Sequence, residues 1–326
     1  MSQNNSDNNN HSPYRSCFRS DLFSSKVSLV TGGGTGIGLA IAQELAQLGA
    51  TVVIAGRDVS KCQAAVDAWT SSGAAKETTG KIVVGPSTNI RDADQVAALV
   101  AYCVETHGAL NFLVNNAGGQ FISPASALSK GGFKAVVETN LIGTFLVSQQ
   151  AYLQYMEEHG GSIVNITLIN GNGLPGMSHS AASRAGVENL TKTLALEWME
   201  AGVRVNCVRP GTFLDVVVHV LGFPKLTFST VFTGIIWTES GFAAYGDAGE
   251  EFLEKLLPTI PAKRLGTAEE VSSAVVWLLS QGASYVTGTA LCVDGGAGFT
   301  FLPLIDIPDQ QNLPIYGGKL PRKARL

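Results

Sequence analysis

From Lys26 to Val293, short apolar runs alternate with longer stretches whose apolar residues recur at helical spacing. Residues 27–30, 51–55 and 81–85 predict three strands, separated by helices over 37–48 and 60–72. A helix over 92–107 leads to a fourth strand at 110–114, which runs into Asn115-Asn116-Ala117-Gly118. Residues 131–159 carry a long helical periodicity that Gly143 should break. Strands at 162–166, 203–208 and 290–293 follow, with helices over 180–200 and 268–279. Short apolar strands alternating with helices predict an α/β fold in three layers. The sheet would be Rossmann-type, doubly wound and parallel, with about seven strands and right-handed crossovers. In such a sheet the ligand lies beyond the strand C-terminal ends. Gly34, Gly56, Asn89, Asn115, Thr167 and Pro210 should therefore surround one cleft.

Composition narrows this picture. A chain of 326 residues can bury one large core, and residues 22–298 read as a single domain. The formal net charge of -4, without a basic block, argues against nucleic acid and anionic membranes as partners. Cys17, Cys62, Cys103, Cys207 and Cys292 show neither metal-ligand spacing nor a disulfide framework, so no metal is expected and a reducing compartment fits. Residues 1–21 are polar and Asn-rich at their start, without the apolar core of a secretory signal, and read as a disordered tail. Residues 213–235 interrupt the rhythm with an apolar, β-branched stretch. Asp215, His219 and Lys225 make it a poor membrane span, so no span is expected, and exposed it would be an association hazard. Residues 299–326 are proline-rich and irregular. They end in Ala324-Arg325-Leu326, a small-basic-leucine terminus of the kind a peroxisomal import receptor reads.

The chemistry centres on Thr31 to Gly38, TGGGTGIG, between a strand and a helix. Gly32 permits a sharp exit from the strand, Gly36 leaves room for a pyrophosphate, and Gly38 lets the first helical turn approach the sheet. The helix N-terminus then offers unsatisfied N–H groups to phosphates, which marks Gly32, Thr35, Gly36, Ile37 and Gly38 as cofactor-binding residues. Strand two ends in Ala55-Gly56-Arg57, where a carboxylate would normally take the ribose hydroxyls of NAD. Arg57 can pair instead with a 2′-phosphate, which favours NADPH; Asp58 tempers this, and a solvated surface arginine is the alternative. Asn89 and Ile90 can bracket adenine. Asn115, Ala117 and Gly118 can approach the ribose, although Asn115 can equally hold an Asx turn. Asn140, polar in mid-helix, needs a partner: it can hold a water or a backbone carbonyl near the active site, which marks it as a catalytic candidate, with a plain structural role the alternative. Pro210, Gly211 and Thr212 can hold the nicotinamide carboxamide.

Together, the TGGGTGIG turn, the NNAG run at 115–118, Asn140, Arg209-Pro210-Gly211-Thr212 and Asp294-Gly295-Gly296 resemble the short-chain dehydrogenase/reductase family over about residues 22–298. That resemblance implies nicotinamide hydride transfer and a homotetramer or other homo-oligomer. The proton machinery departs from the family pattern of serine, tyrosine and lysine. The matching positions hold Leu168 beside Thr167, then Ser180, then Arg184. Serine does not easily supply a proton at neutral pH, and an always-charged arginine is no proton shuttle, although Arg184 can fix ribose hydroxyls. Carbonyl reduction therefore loses weight.

Reduction of an activated C=C asks only for hydrogen-bond donors on an enolate before the α carbon is protonated. Thr167, Asn170, His179, Ser180 and a water are candidates, with a packing role the alternative for His179. The stretches at 115–125, 159–166, 179–198, 260–280 and 293–298, IPDQQN at 307–312 and the terminal Ala-Arg-Leu resemble peroxisomal trans-2-enoyl-CoA reductases and their 2,4-dienoyl-CoA reductase relatives. This implies NADPH, a fatty acyl-CoA substrate, a peroxisomal location and reduction of C2=C3 to a saturated acyl-CoA. Dienoyl-CoA or 3-oxoacyl reduction and a non-catalytic NADPH-binding scaffold are the alternatives. Asn170 stands near the position of the dienoyl relatives' tyrosine, so that acid does not carry over. Against the same pattern, residues 213–235 look inserted between Thr212 and Ile236, as a natural loop or an unspliced intron translated in frame.

Overall fold

The computed structural model describes residues 16–168, 173–211, 236–237, 257–299 and 314–317. Seven strands form one parallel sheet: β1 (Val27–Thr31), β2 (Thr51–Ala55), β3 (Lys81–Val84), β4 (Phe112–Asn115), β5 (Gly161–Ile166), β6 (Val203–Pro210) and, after a separate pair formed by β7 (Ile236–Trp237) and β8 (Gly266–Thr267), β9 (Ala290–Val293). Their order is β3-β2-β1-β4-β5-β6-β9. The order reverses between β1 and β4, which opens a crevice there.

Alternation along each strand sends side chains to two cores. Val30, Ile54, Val114, Val164 and Val208 pack beneath α1 (Gly36–Gln47), α2 (Val59–Ser71), which the short α3 (Gly73–Lys76) follows, and α9 (Ala268–Leu279). Leu29, Val53, Leu113, Ile163 and Val205 pack on the opposite face, under α4 (Ala93–His107), α6 (Gly143–Ala151) and α8 (Ser178–Glu197). Two apolar faces oblige the sheet to carry helices on both sides, which gives the expected three layers. Leu45 in α1 is fully buried, and Leu45→Ala would cost about 2–5 kcal/mol.

The elements end where local chemistry ends them. Asp58 and Asp92 cap α2 and α4 through their side chains, which places each aspartate just outside its helix. Gly108 closes α4 in the left-handed conformation at φ 77°. Gly143 does not break the long helix. Lys130–Val137 (α5) continues through a π-helical turn, Glu138–Ile142, into α6, then through a second π turn, Tyr152–Met156, into Glu157–His159 (α7). A Cβ at Gly143 would stand 2.8 Å from the Ile90 side chain, so this glycine serves close approach rather than a break.

Two short strands, β7 (Ile236–Trp237) and β8 (Gly266–Thr267), pair apart from the main sheet. Residues 16–21, placed in the polar tail by composition, engage the body: Ser16 Oγ donates to Glu44 and Cys17 N–H to Tyr316 Oη. No helix among the described residues is long and apolar enough to cross a membrane. Thr212, Asn170, the 213–235 stretch and the terminal Ala-Arg-Leu lie outside the described residues.

Candidate functional site

A cleft of about 720 Å³ opens at the C-terminal ends of the strands, at the reversal between β1 and β4. The glycine turn forms its floor. Gly32 and Gly36 take φ of 66° and 54°, conformations in which a Cβ is strained. A Cβ at Gly38 would collide with the Gly32 carbonyl and the Asn116 amide, so only glycine lets the helix start this close. Thr35 is the N-cap of α1 yet makes no side-chain cap bond, which leaves the N–H groups of the first turn for an outside acceptor. Gly32, Thr35, Gly36, Ile37 and Gly38 all line the cleft.

At one end stand Ala55, Gly56, Arg57, Asp58 and Lys61. Asp58 is committed to its own helix. Its carboxylate accepts from the N–H groups of Ser60 (3.1 Å) and Lys61 (3.3 Å) and from the Ser60 hydroxyl (2.5 Å). The Ser60 hydroxyl, followed by the Lys61 N–H, holds it below the usual aspartate value. Arg57 and Lys61 are exposed cations at this end, with Lys61 Nζ 3.9 Å from Asp58. Lys61 was not identified from sequence, although it lies one helical turn beyond Arg57. Cys62 lines the same wall, and burial pushes its thiol up.

Asn89 and Ile90 also line the cleft, as do Ala117, Gly118, Pro210 and Gly211. Asn115 does not. It is the last residue of β4 and turns into the layer below, where Nδ2 donates to Ser148 Oγ and Asn165 Oδ1, both at 2.8 Å. Its neighbour Asn116 faces the cleft, and its Nδ2 donates to the carbonyls of Thr31 (3.2 Å) and Gly32 (3.1 Å). Thr31 Oγ1 receives the N–H groups of Asn116 and Ala117, both at 3.1 Å, which joins the β4 exit to the glycine turn.

At the other end stand Ile166, Thr167, Leu168, Arg184, Gln120 and Ile236. Leu168 is buried and packs with Leu174 and Met177, so the serine position of the family pattern holds an apolar plug. Thr167 Oγ1 lies 3.2 Å from the Val208 carbonyl, to which it donates. Arg184 reaches from α8, and its Nη1 donates to the Ile166 carbonyl at 2.5 Å. A Cβ on Gly118 would collide with the Arg184 guanidinium, so backbone and cation meet there. Burial pushes Arg184 down to about 10. Its Nε is buried without a partner among the described residues.

Three residues singled out from sequence lie behind the wall. Asn140, in the first π turn, is fully buried and grips the backbone of Gly119. Ser180 is fully buried, and its hydroxyl donates to Gln120 Oε1 at 2.9 Å. Gln120, overlooked in the sequence, carries that contact to the cleft. His179 does not reach the cleft. It is fully enclosed, with its ring edge-to-face against Phe121 at 4.5 Å, and burial lowers it below the ordinary histidine value. A sealed, neutral imidazole is no acid for a substrate. Gly211 and Ile236, on either side of the 213–235 stretch, both line the cleft.

The residues present fit a nicotinamide dinucleotide. The turn is a cradle that side chains would fill, free helix N–H groups face it, and a fixed cation lies at the far end.

A short chain dehydrogenase family profile matches residues 26–219, and an Enoyl-(Acyl carrier protein) reductase profile matches residues 218–298. The chain is 35% identical over 290 residues to a peroxisomal 2,4-dienoyl-CoA reductase of Danio rerio, covering 88% of this chain and 86% of that protein. It is 36% identical over 289 residues to the protein of that name in Mus musculus, covering 88% of this chain and 89% of the other. A solved structure, the citronellol catabolism dehydrogenase of Pseudomonas aeruginosa PAO1, superposes with a TM-score of 0.70 at 38% identity, covering 87% of this chain and all of that one. The chain belongs to the short-chain dehydrogenase/reductase family, with its Rossmann-type site for NAD(P)H, and is closely related to the peroxisomal 2,4-dienoyl-CoA reductases.

Proposed function

We propose that this chain is an NADPH-dependent 2,4-dienoyl-CoA reductase of the peroxisome that yields a 3-enoyl-CoA. The observation that carries this reading is kinship along nearly the whole domain with reductases of that name, which are described as (3E)-enoyl-CoA-producing. It displaces simple saturation of a trans-2-enoyl-CoA, the first expectation from sequence, in favour of the dienoyl alternative. NADPH supplies a hydride which, placed at C5 of the conjugated diene thioester and balanced by a proton at C2, leaves the double bond at C3.

The protein's part is positioning and charge stabilisation. Arg57 and Lys61 offer charge-assisted bonds to a 2′-phosphate. Arg184, pinned to the Ile166 carbonyl, presents a cation where the ribose and nicotinamide would lie. Ser180 donates to the oxygen of the Gln120 side chain, which leaves the Gln120 amide N–H groups to donate to a thioester oxygen as negative charge builds there. With leucine, serine and arginine at the usual serine, tyrosine and lysine positions, carbonyl reduction lacks its proton source. Water is the proton source this reading invokes for C2.

An acyl-CoA substrate, a homo-oligomer such as a tetramer, and an import receptor for Ala324-Arg325-Leu326 belong to the same proposal. Exposed Leu153, Leu196 and Met199 give apolar surface that assembly would cover. The test is NADPH consumption by the full-length protein with 2,4-dienoyl-, trans-2-enoyl- and 3-oxoacyl-CoA, with each product identified by mass and double-bond position. A 3-enoyl product from the dienoyl thioester is expected. A saturated product from the 2-enoyl thioester alone, or tight NADPH binding without turnover, would sink it. Deleting residues 213–235, whose flanks meet at the cleft, is expected to raise turnover, because a displaced loop about 1 Å out of place can cost about 100-fold.

A further inference from the structure

The two ends of the described chain meet on a buried carboxylate. Glu44, fully enclosed on α1, accepts from Ser272 Oγ of α9, from Ser16 Oγ at 2.7 Å and from Tyr316 Oη at 3.3 Å. Tyr316 Oη also accepts the Cys17 N–H at 2.7 Å. The Tyr316 hydroxyl is therefore held from two sides by segments far away in sequence.

The same short segment is held at its backbone. Thr267 Oγ1 lies 2.9 Å from the Tyr316 carbonyl, and Arg264 Nη2 donates to the Pro314 carbonyl at 2.8 Å. Arg264 is itself fixed by Glu270, with contacts of 3.0 and 2.7 Å, and Glu270 takes the Thr267 N–H at 2.9 Å. Thr267 belongs to β8, whose pairing partner is β7 in the register Ile236 to Gly266 and Trp237 to Thr267. Ile236 is buried and lines the cleft. Between Gly211 and Leu257, β7 is the one described stretch, and β8 is its strand partner.

We propose that Tyr316 is a positioning residue for the cleft: anchored by Glu44 and Cys17, it fixes Thr267, and Thr267 fixes the β7–β8 pair that sets Ile236 into the wall beside Pro210 and Gly211. The C-terminal segment thus sets the point at which the chain after Gly211 returns to the cleft. Losing the Tyr316 hydroxyl loosens the anchor without removing the ring, the carbonyl or any cleft residue. The glycine turn and the Arg57–Lys61 end are joined to the body through other contacts and stay in place.

The test compares full-length protein with Tyr316→Phe and with a chain ending after residue 313. Amide exchange is expected to quicken about 10-fold at 236–237 and 266–267, as for loss of one hydrogen bond to a charged group, while β1, β4 and β5 keep their rates. In turnover, the KM for the acyl thioester is expected to rise about 5-fold in Tyr316→Phe, with NADPH dissociation changed less than about twofold. Unchanged exchange at both segments in both variants would overturn the proposal. So would a uniform rise throughout the sheet, which would mark plain destabilisation, or faster local exchange with an unaltered KM. The kinetic arm rests on the reductase reading and the exchange arm does not. If no thioester is consumed even by the unaltered protein, that reading fails while the exchange result still judges the anchor.

Discussion

Asn140 holds both backbone groups of Gly119: its Nδ2 donates to the Gly119 carbonyl at 3.0 Å, and its Oδ1 accepts the Gly119 N–H at 2.9 Å. The same Nδ2 lies 3.3 Å from Ser183 Oγ, so the amide also touches α8. The π turn that carries Asn140 thus fixes the loop that carries Gly118 and Gln120 past Arg184. Asn140→Ala should free this loop and lower kcat about 100-fold, with a smaller change in NADPH affinity. Asn140→Asp keeps the acceptor but buries a charge and loses the donor. It should be no better in kcat and lower in melting temperature. Steady-state kinetics beside a thermal scan separates the two effects.

Arg57 and Lys61 stand together at one end of the cleft, and Asp58 beside them is already committed to capping α2. Removing either cation should weaken NADPH by about 5-fold, the scale of an exposed charge-assisted contact, and leave NADH within about twofold. Titration of each nucleotide by fluorescence measures this directly. Equal losses for the two nucleotides would place the 2′-phosphate elsewhere.

Burial lowers Arg184 to about 10, still far above neutral, so its positive charge is present throughout the neutral and mildly alkaline range. Any alkaline fall in NADPH affinity that belongs to Arg184 should therefore lie no lower than about pH 10. In Arg184→Lys the ordinary lysine value, about 10.4, is lowered by the same burial. The limb should then move to lower pH. Nucleotide affinity against pH for both proteins tests this; an unmoved limb would assign it to another group.

His179 is sealed beneath Phe121 and held below the ordinary 6.5 by burial. Below about pH 6.5 the unfolded chain takes up a proton at this position that the folded chain resists. The unfolded state then binds more protons, and stability falls as pH drops through the window between 6.5 and the folded value. Above 6.5 no penalty applies. His179→Gln removes this term, so its melting temperature should fall less than that of the unaltered protein between about pH 7 and pH 5.5. His107, also lowered by burial, keeps its contribution in both proteins and cancels in the comparison.

Much of this protein was written locally. Strand and helix alternation follows from side-chain period, and apolar runs such as Leu29-Val30 and Val53-Ile54 dictate a sheet covered on both faces. Gly32 and Gly36 mark positive φ, and Gly38 marks a contact no Cβ survives, so the phosphate turn was legible from residue type alone. The family was legible for the same reason, because its motifs are short runs at strand ends.

Only the tertiary structure decided which neighbouring side chain faces the cleft. Adjacent residues at a strand end point in opposite directions, which sends Asn115 into the layer below and Asn116 to the site. His179 and Ser180 share a helix start, yet one is sealed under Phe121 and the other reaches the cleft through Gln120. The anchor of Tyr316 on Glu44 joins positions 272 residues apart, and no local pattern encodes such a meeting. Periodicity fixes what each segment becomes; the packing of distant segments fixes which atoms are left facing a ligand.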